Sequence, residues 1–255
     1  MASIPLEGLI IIGKQSKNNV LKITNQNNEK GTGFFCLIPF PDKFHLLPTL
    51  MTNNHVLDEN DIKEGKTIKF SSEVRNYEIK IDNLRKCYTN KEYDTTFIEI
   101  RKNEVEDINK FLEIDEDIFD DNELKTFSKL SVYIIHYPMG IKNVISFGKI
   151  KFISSDSLDI YHQCNTSPGY AGGPIINSIN YKIIGIHKGS VVGKKLYIGT
   201  FLKLPIKNFN EKNPNIIDIN DNNNEIRIND SGVGVGGDGK IDGSDLGRKN
   251  IFSEN

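Results

Sequence analysis

The stretch that most constrains the fold is Thr166-Ser-Pro-Gly-Tyr-Ala-Gly-Gly-Pro174. Five of its nine residues are glycine or proline, so it is the interior of neither a helix nor a strand. It is a turn with an unusual backbone shape. Apolar runs at 158–162 and 174–177 flank it. Whatever this chain builds must hold a specially shaped loop between two short extended segments.

The rest of the chain repeats that pattern. Short β-rich runs fall at 8–12, 20–24, 31–38, 50–53, 67–71, 77–81 and 95–100. Tyr77-Glu-Ile-Lys-Ile81 alternates apolar and polar residues with period 2, as a half-buried strand does. A second group falls at 130–135, 144–152, 158–162, 174–176, 182–187 and 196–202. Between the groups, 103–129 is acidic and lacks β alternation, which marks a connector. No run of strands alternates with long helices, which argues against a parallel α/β sheet. The expected fold is all-β: two antiparallel six-stranded β-barrels packed with a cleft between them. The expected domains are an N-terminal barrel (1–102), the connector (103–129), a C-terminal barrel (130–210) and a low-complexity tail (211–255). The tail is rich in Asn, Asp and Gly and is expected to be disordered, because it cannot bury enough apolar area to offset ordering entropy.

Three stretches carry chemistry. Thr52-Asn-Asn-His55 follows an apolar pair and delivers a histidine, with Gly31-Thr-Gly33 upstream. Asp94 opens an alternating strand 39 residues after His55. The turn at 166–174 comes third. In this order the stretches resemble the His, Asp and nucleophile motifs of the trypsin-like (chymotrypsin-fold) serine peptidases. There a hydroxyl lies beside an imidazole, a carboxylate fixes the imidazole's tautomer, and two backbone N–H groups face the oxyanion. The resemblance spans about 8–209 and implies His55 as general base and acid, Asp94 as its orienter, and the N–H groups of Gly169 and residue 171 as the oxyanion hole. Thr166, five residues before the nucleophile position, and His187, in Ile183-Ile-Gly-Ile-His187-Lys-Gly189, are similar to the acid-reading pair of the glutamyl endopeptidase branch. A hydroxyl and an imidazole can hydrogen-bond a carboxylate, and a protonated imidazole would add charge attraction.

Two positions depart from the family pattern. Ala171 stands where the family has its serine, and Tyr170 replaces a small or polar residue before it. Alanine has no hydroxyl, so covalent catalysis at that position is impossible. The chain is either an active-site mutant or a natural pseudopeptidase. The first alternative is a peptidase scaffold; the second is a non-catalytic peptide-binding module using the cleft.

Composition narrows the partners. A net charge of −2 gives no case for nucleic acid. The apolar run at 9–12 is too short for a signal-peptide core or a membrane span. Cys36, Cys87 and Cys164 cannot all pair, and none has metal-ligand spacing. The expectations are a cytoplasmic protein with a polypeptide substrate or ligand, no nucleic acid or membrane partner, no cofactor and no metal. In the tail, 234–240 fits the beginning of a phosphate-binding loop, but Ile241 stands where a magnesium-binding hydroxyl is needed. Asp238, Asp242 and Asp245 resemble the second half of a calcium loop whose earlier ligand positions are glycines. A flexible tail remains the default there.

Overall fold

The computed structural model describes residues 4–105, 111–120, 126–156, 158–166 and 171–213. The tail expectations therefore lie outside the described residues, apart from 211–213, which end the last helix. Among the described residues the chain is all-β with two α-helices. Helix α1 (Leu6–Asn18) precedes β1 (Val20–Thr24), β2 (Lys30–Pro39), β3 (Leu46–Thr52), β4 (Thr67–Ser71), β5 (Asn76–Lys80), β6 (Cys87–Asn90) and β7 (Thr95–Glu99). β8 (Leu112–Glu113) lies in the connector. β9 (Ser131–His136), β10 (Val144–Ile153), β11 (Asp159–His162), β12 (Pro174–Asn177), β13 (Ile183–Ser190) and β14 (Tyr197–Phe201) follow, then helix α2 (Lys203–Lys212).

The second group of strands forms a closed six-stranded antiparallel barrel in the order β10-β11-β14-β13-β12-β9. The first group forms a curled sheet, β5-β4-β1-β2-β3-β7-β6, to which β8 adds in parallel beside β2. One side chain from the loop between β5 and β6 joins the edge strand β5 to β7. The buried Arg85 guanidinium donates to the carbonyls of Lys80, at the end of β5, and Glu99, at the end of β7, at 3.2 and 2.6 Å. An ion pair with Glu104 neutralises it. Two backbone acceptors and a carboxylate thus satisfy a charge that would otherwise be costly to bury.

The central strands have no solvent face. On β2, Phe34 enters one apolar cluster and Phe35 the other. Met51 and Leu50 on β3 divide in the same way, as do Phe97 and Ile98 on β7. Successive side chains point to opposite faces of a strand, so this sheet has a core on each side. Phe35 fills the inside of the curl against Phe70, Tyr77 and Phe111, at ring distances of 4.6–5.7 Å. Phe34, Met51 and Phe97 meet Tyr133, Ile175 and Ile186 of the second barrel.

Two segments depart from the sequence expectation. Residues 8–12 are helical, not a strand. The β-branched run Ile10-Ile-Ile12 suggests extended backbone, but Gly8, Ile12 and Gln15 are the buried positions, at helical spacing. Gln15 fixes the helix to the second barrel through Tyr181 and Tyr133. Residues 203–212, assigned by sequence to barrel and tail, form α2, whose Ile206 and Phe209 close the shared core. No described helix is long and apolar enough to cross a membrane.

Candidate active site

β3 runs out of the sheet at Thr52, and the chain turns at once. The amides of Val56 and Leu57 both return to the carbonyl of Asn53. Val56 and Leu57 are buried, so the turn is anchored and His55 is pushed outward. Gly31 permits this, because a Cβ there would lie 2.5 Å from the Val56 side chain. Asp94 sits at the mouth of β7 with φ of 51°, a left-handed conformation that Asp tolerates better than most residues.

His55 and Asp94 meet directly. His55 Nδ1 lies 2.8 Å from Asp94 Oδ2 and 3.0 Å from Oδ1, and the His55 amide donates to Oδ1 at 3.0 Å. The Asn53 side-chain amide holds the Asp94 carbonyl at 2.8 Å. A carboxylate accepts only, so Nδ1 carries the proton and Nε2 is left with a lone pair. The imidazole side chain is 52% exposed and that of Asp94 20%. The imidazole is therefore open to solvent, while the Asp94 carboxylate that holds it is largely covered.

Thr32 on β2 joins this pair to the turn of the second barrel. Its amide donates to the Ala171 carbonyl at 2.9 Å. Its own carbonyl accepts from Thr52 Oγ1 at 2.7 Å, three residues before His55. Its hydroxyl accepts from the Tyr137 amide at 3.0 Å. Gly172 fits beneath it with φ of 93°, and a Cβ there would lie 1.9 Å from the Thr32 carbonyl oxygen. The Gly172 amide donates to the His187 carbonyl, and the His187 amide to Gly173, at 2.9 and 2.8 Å. Ala171 is half-buried and offers only a methyl group. Gly169 lies outside the described residues, as does Tyr170.

Thr166 and His187 are also brought together, Oγ1 to Nε2 at 3.1 Å. His187 Nδ1 faces His162 Nε2 at 3.1 Å, and His162 Nδ1 accepts the Cys164 amide at 3.2 Å. That amide assigns every proton in the series. His162 must carry hydrogen on Nε2, which it gives to His187 Nδ1. His187 then carries its hydrogen on Nε2 and gives it to Thr166, whose own O–H is free to point outward. Burial pushes His162 down to about 3 and His187 well below the ordinary histidine value. Burial thus favours the neutral His187 ring, in keeping with this proton assignment. Lys188 is turned away and pairs with Asp159 at 2.7 Å.

His162, Asn53 and Thr32 were not singled out in the sequence. His162 could have been found from strand alternation, since Ile160 and His162 share the inward face of β11. The partners of Asn53 and Thr32 are 41 and 139 residues away, and no local pattern shows them. Among the described residues, no group of three or more His, Cys, Asp or Glu could hold a metal ion. The three cysteines are free. Burial pushes Cys87 up to about 11 and Cys164 to about 12, and raises Cys36 as well, so none is a thiolate at neutral pH.

A model of the trypsin-like peptidase domain matches residues 31–186. Among solved structures, the serine endoprotease from Yersinia pestis superposes with a TM-score of 0.58 at 13% identity, covering 83% of this chain and 69% of that one. Deg5 gives 0.54 at 17%, covering 79% and 91%. The catalytically active tobacco etch virus protease, solved with product, gives 0.52 at 15%, covering 79% and 78%. At such identities the likeness is one of fold. No curated protein matches the chain.

Proposed function

The chain belongs to the trypsin-like peptidase family, and from that premise we propose that it is a serine endopeptidase scaffold that lacks its nucleophile as written. The observation that carries this is the two-point hold of Asp94 on His55, which leaves Nε2 basic and exposed. With serine at 171, Nε2 would take the hydroxyl proton as the oxygen attacks a peptide carbonyl, then return it to the leaving amine. The N–H groups of residues 169 and 171 would hold the oxyanion. Losing the nucleophile costs on the order of 10⁶ in turnover, so the chain with Ala171 does no covalent chemistry there. Residues 1–102 and 130–210 are the two halves of this scaffold, and 103–129 joins them.

Substrate preference is for an acidic side chain. Its support is Thr166, whose hydroxyl hydrogen is released outward by the donation from His187. Recognition of the carboxylate is by hydrogen bond from Thr166. The second function, capture of a peptide without cutting it, is favoured by one observation: the His55–Asp94 and Thr166–His187 pairs are both formed although Ala171 cannot react. Cytoplasmic location is part of the proposal and rests on the free thiols.

The test is Ala171→Ser assayed on peptides with an internal Glu. Cleavage after Glu, abolished by adding His55→Ala, is expected. No cleavage by the folded variant overturns the peptidase proposal. The chain as written should then still bind acidic peptides saturably, and His187→Ala should weaken that binding. Flat titrations would overturn the binding function.

A further inference from the structure

Of the seventeen large hydrophobic side chains exposed among the described residues, ten fall on two segments, α1 and residues 139–153. These segments are far apart in sequence but lie side by side. Asn143 donates to the Ser16 carbonyl at 2.9 Å, tying the end of α1 to the start of β10. Further along, Leu9 of α1 shares a cavity of about 600 Å³ with Phe147 and Lys149 of β10. The helix turns Gly8, Ile12 and Gln15 inward, so Leu6, Leu9 and Ile10 stand outward at 70, 51 and 53% exposure. Ile145 and Phe147 stand out from β10 beside them.

The same two segments are basic. They carry Lys14, Lys17, Lys142, Lys149 and Lys151 against Glu7 alone, a net +4 on a chain of net −2. An exposed apolar patch of this kind marks an interaction surface, and its charge selects the partner. A second copy would set +4 against +4. A nucleic acid would satisfy the lysines but not five protruding apolar side chains. An anionic lipid surface offers apolar depth and negative charge together, and it needs no matched shape. Lysines can then lie along the apolar layer with their ammonium groups at the headgroups.

We propose that α1 and β10 form a docking face for an anionic membrane surface. The expectation of no membrane partner rested on the absence of a long apolar run. A face assembled from segments about 130 residues apart leaves no such run.

The test uses the full chain with vesicles of phosphatidylcholine alone or with phosphatidylserine added, and reads the sedimented fraction. Binding to the phosphatidylserine vesicles, weakened by salt and absent with phosphatidylcholine alone, is expected. Leu9→Ser with Phe147→Ser removes the apolar part. Lys14→Glu with Lys149→Glu, a separate variant, inverts the charge. Each should lower partitioning at least about tenfold. The lysine variant should leave the unfolding midpoint unchanged, because Lys14 and Lys149 are exposed, whereas Leu9→Ser with Phe147→Ser should lower it, because the Phe147 ring packs on Tyr133 at 5.8 Å. No binding to phosphatidylserine vesicles, or binding undiminished in both variants, overturns the proposal. So does self-association that Leu9→Ser with Phe147→Ser abolishes in a protein that ignores vesicles.

Discussion

His162 lies at the buried end of the Thr166 pocket, yet it decides which nitrogen of His187 bears the proton. Its burial has a second effect, on stability. The unfolded chain takes up a proton on each histidine near pH 6.5. The folded chain keeps His136 neutral down to about 4 and His162 down to about 3, both through burial, and His187 shifts in the same direction. Between those values the unfolded state binds more protons, so stability is complete above about pH 6.5 and falls as the pH drops. The limiting slope is about 1.4 kcal/mol per pH unit for each histidine. Urea midpoints at pH 7 and pH 5 should show this loss, and His162→Asn should show less of it. An equal pH dependence in the variant would refute the assignment. At this scale the sequence was informative where chemistry has a local signature, as at His55 and Asp94. It was silent where a residue's role comes from a partner across the barrel, as at His162 and Thr32.

The turn at 171–174 is an element with almost no freedom. Gly172 combines a left-handed backbone with the Thr32 carbonyl where a side chain would begin. Gly172→Ala should therefore cost on the order of 2–4 kcal/mol, read as a lowered denaturant midpoint, whereas Ala171→Ser should cost little. A Gly172→Ala protein of unchanged stability would show that the turn can move away from β2. This turn was legible because glycine and proline report backbone shape directly. The strands were legible through their short apolar runs and punctuating turns. The helices were not. α1 hides in three consecutive isoleucines, and α2 contains Pro205, which reads as a breaker although it sits in the first turn, where its missing N–H costs no helical bond. The stitch at Arg85 was equally hidden, since it joins backbone groups at strand ends that no residue pattern marks.

Across the whole molecule, the two halves share one apolar cluster. Phe34 and Phe97 from the first sheet pack with Tyr133 and Ile175 from the second barrel, and Ile12 and Phe209 from the two helices complete it. Neither half can open without exposing residues of the other. Residues 4–213 should therefore unfold in one cooperative transition, with calorimetric and van't Hoff enthalpies equal. Two resolved transitions would mean that the shared cluster contributes little. The double-barrel architecture was legible from two groups of strands and an acidic connector. The shared core was not, because a strand with both faces buried looks in sequence like any continuous apolar run.

That double burial has a consequence for precision. Phe34 and Phe35 go to different cores, so a slip of β2 by one residue would send each ring to the wrong side. Each core proofreads the alignment of the other. Thr32 lies two residues upstream on the same strand and inherits that accuracy. The turn bearing Ala171 is thus set in place by aromatic rings buried in the two cores, and any chain that keeps this turn must keep both cores in step.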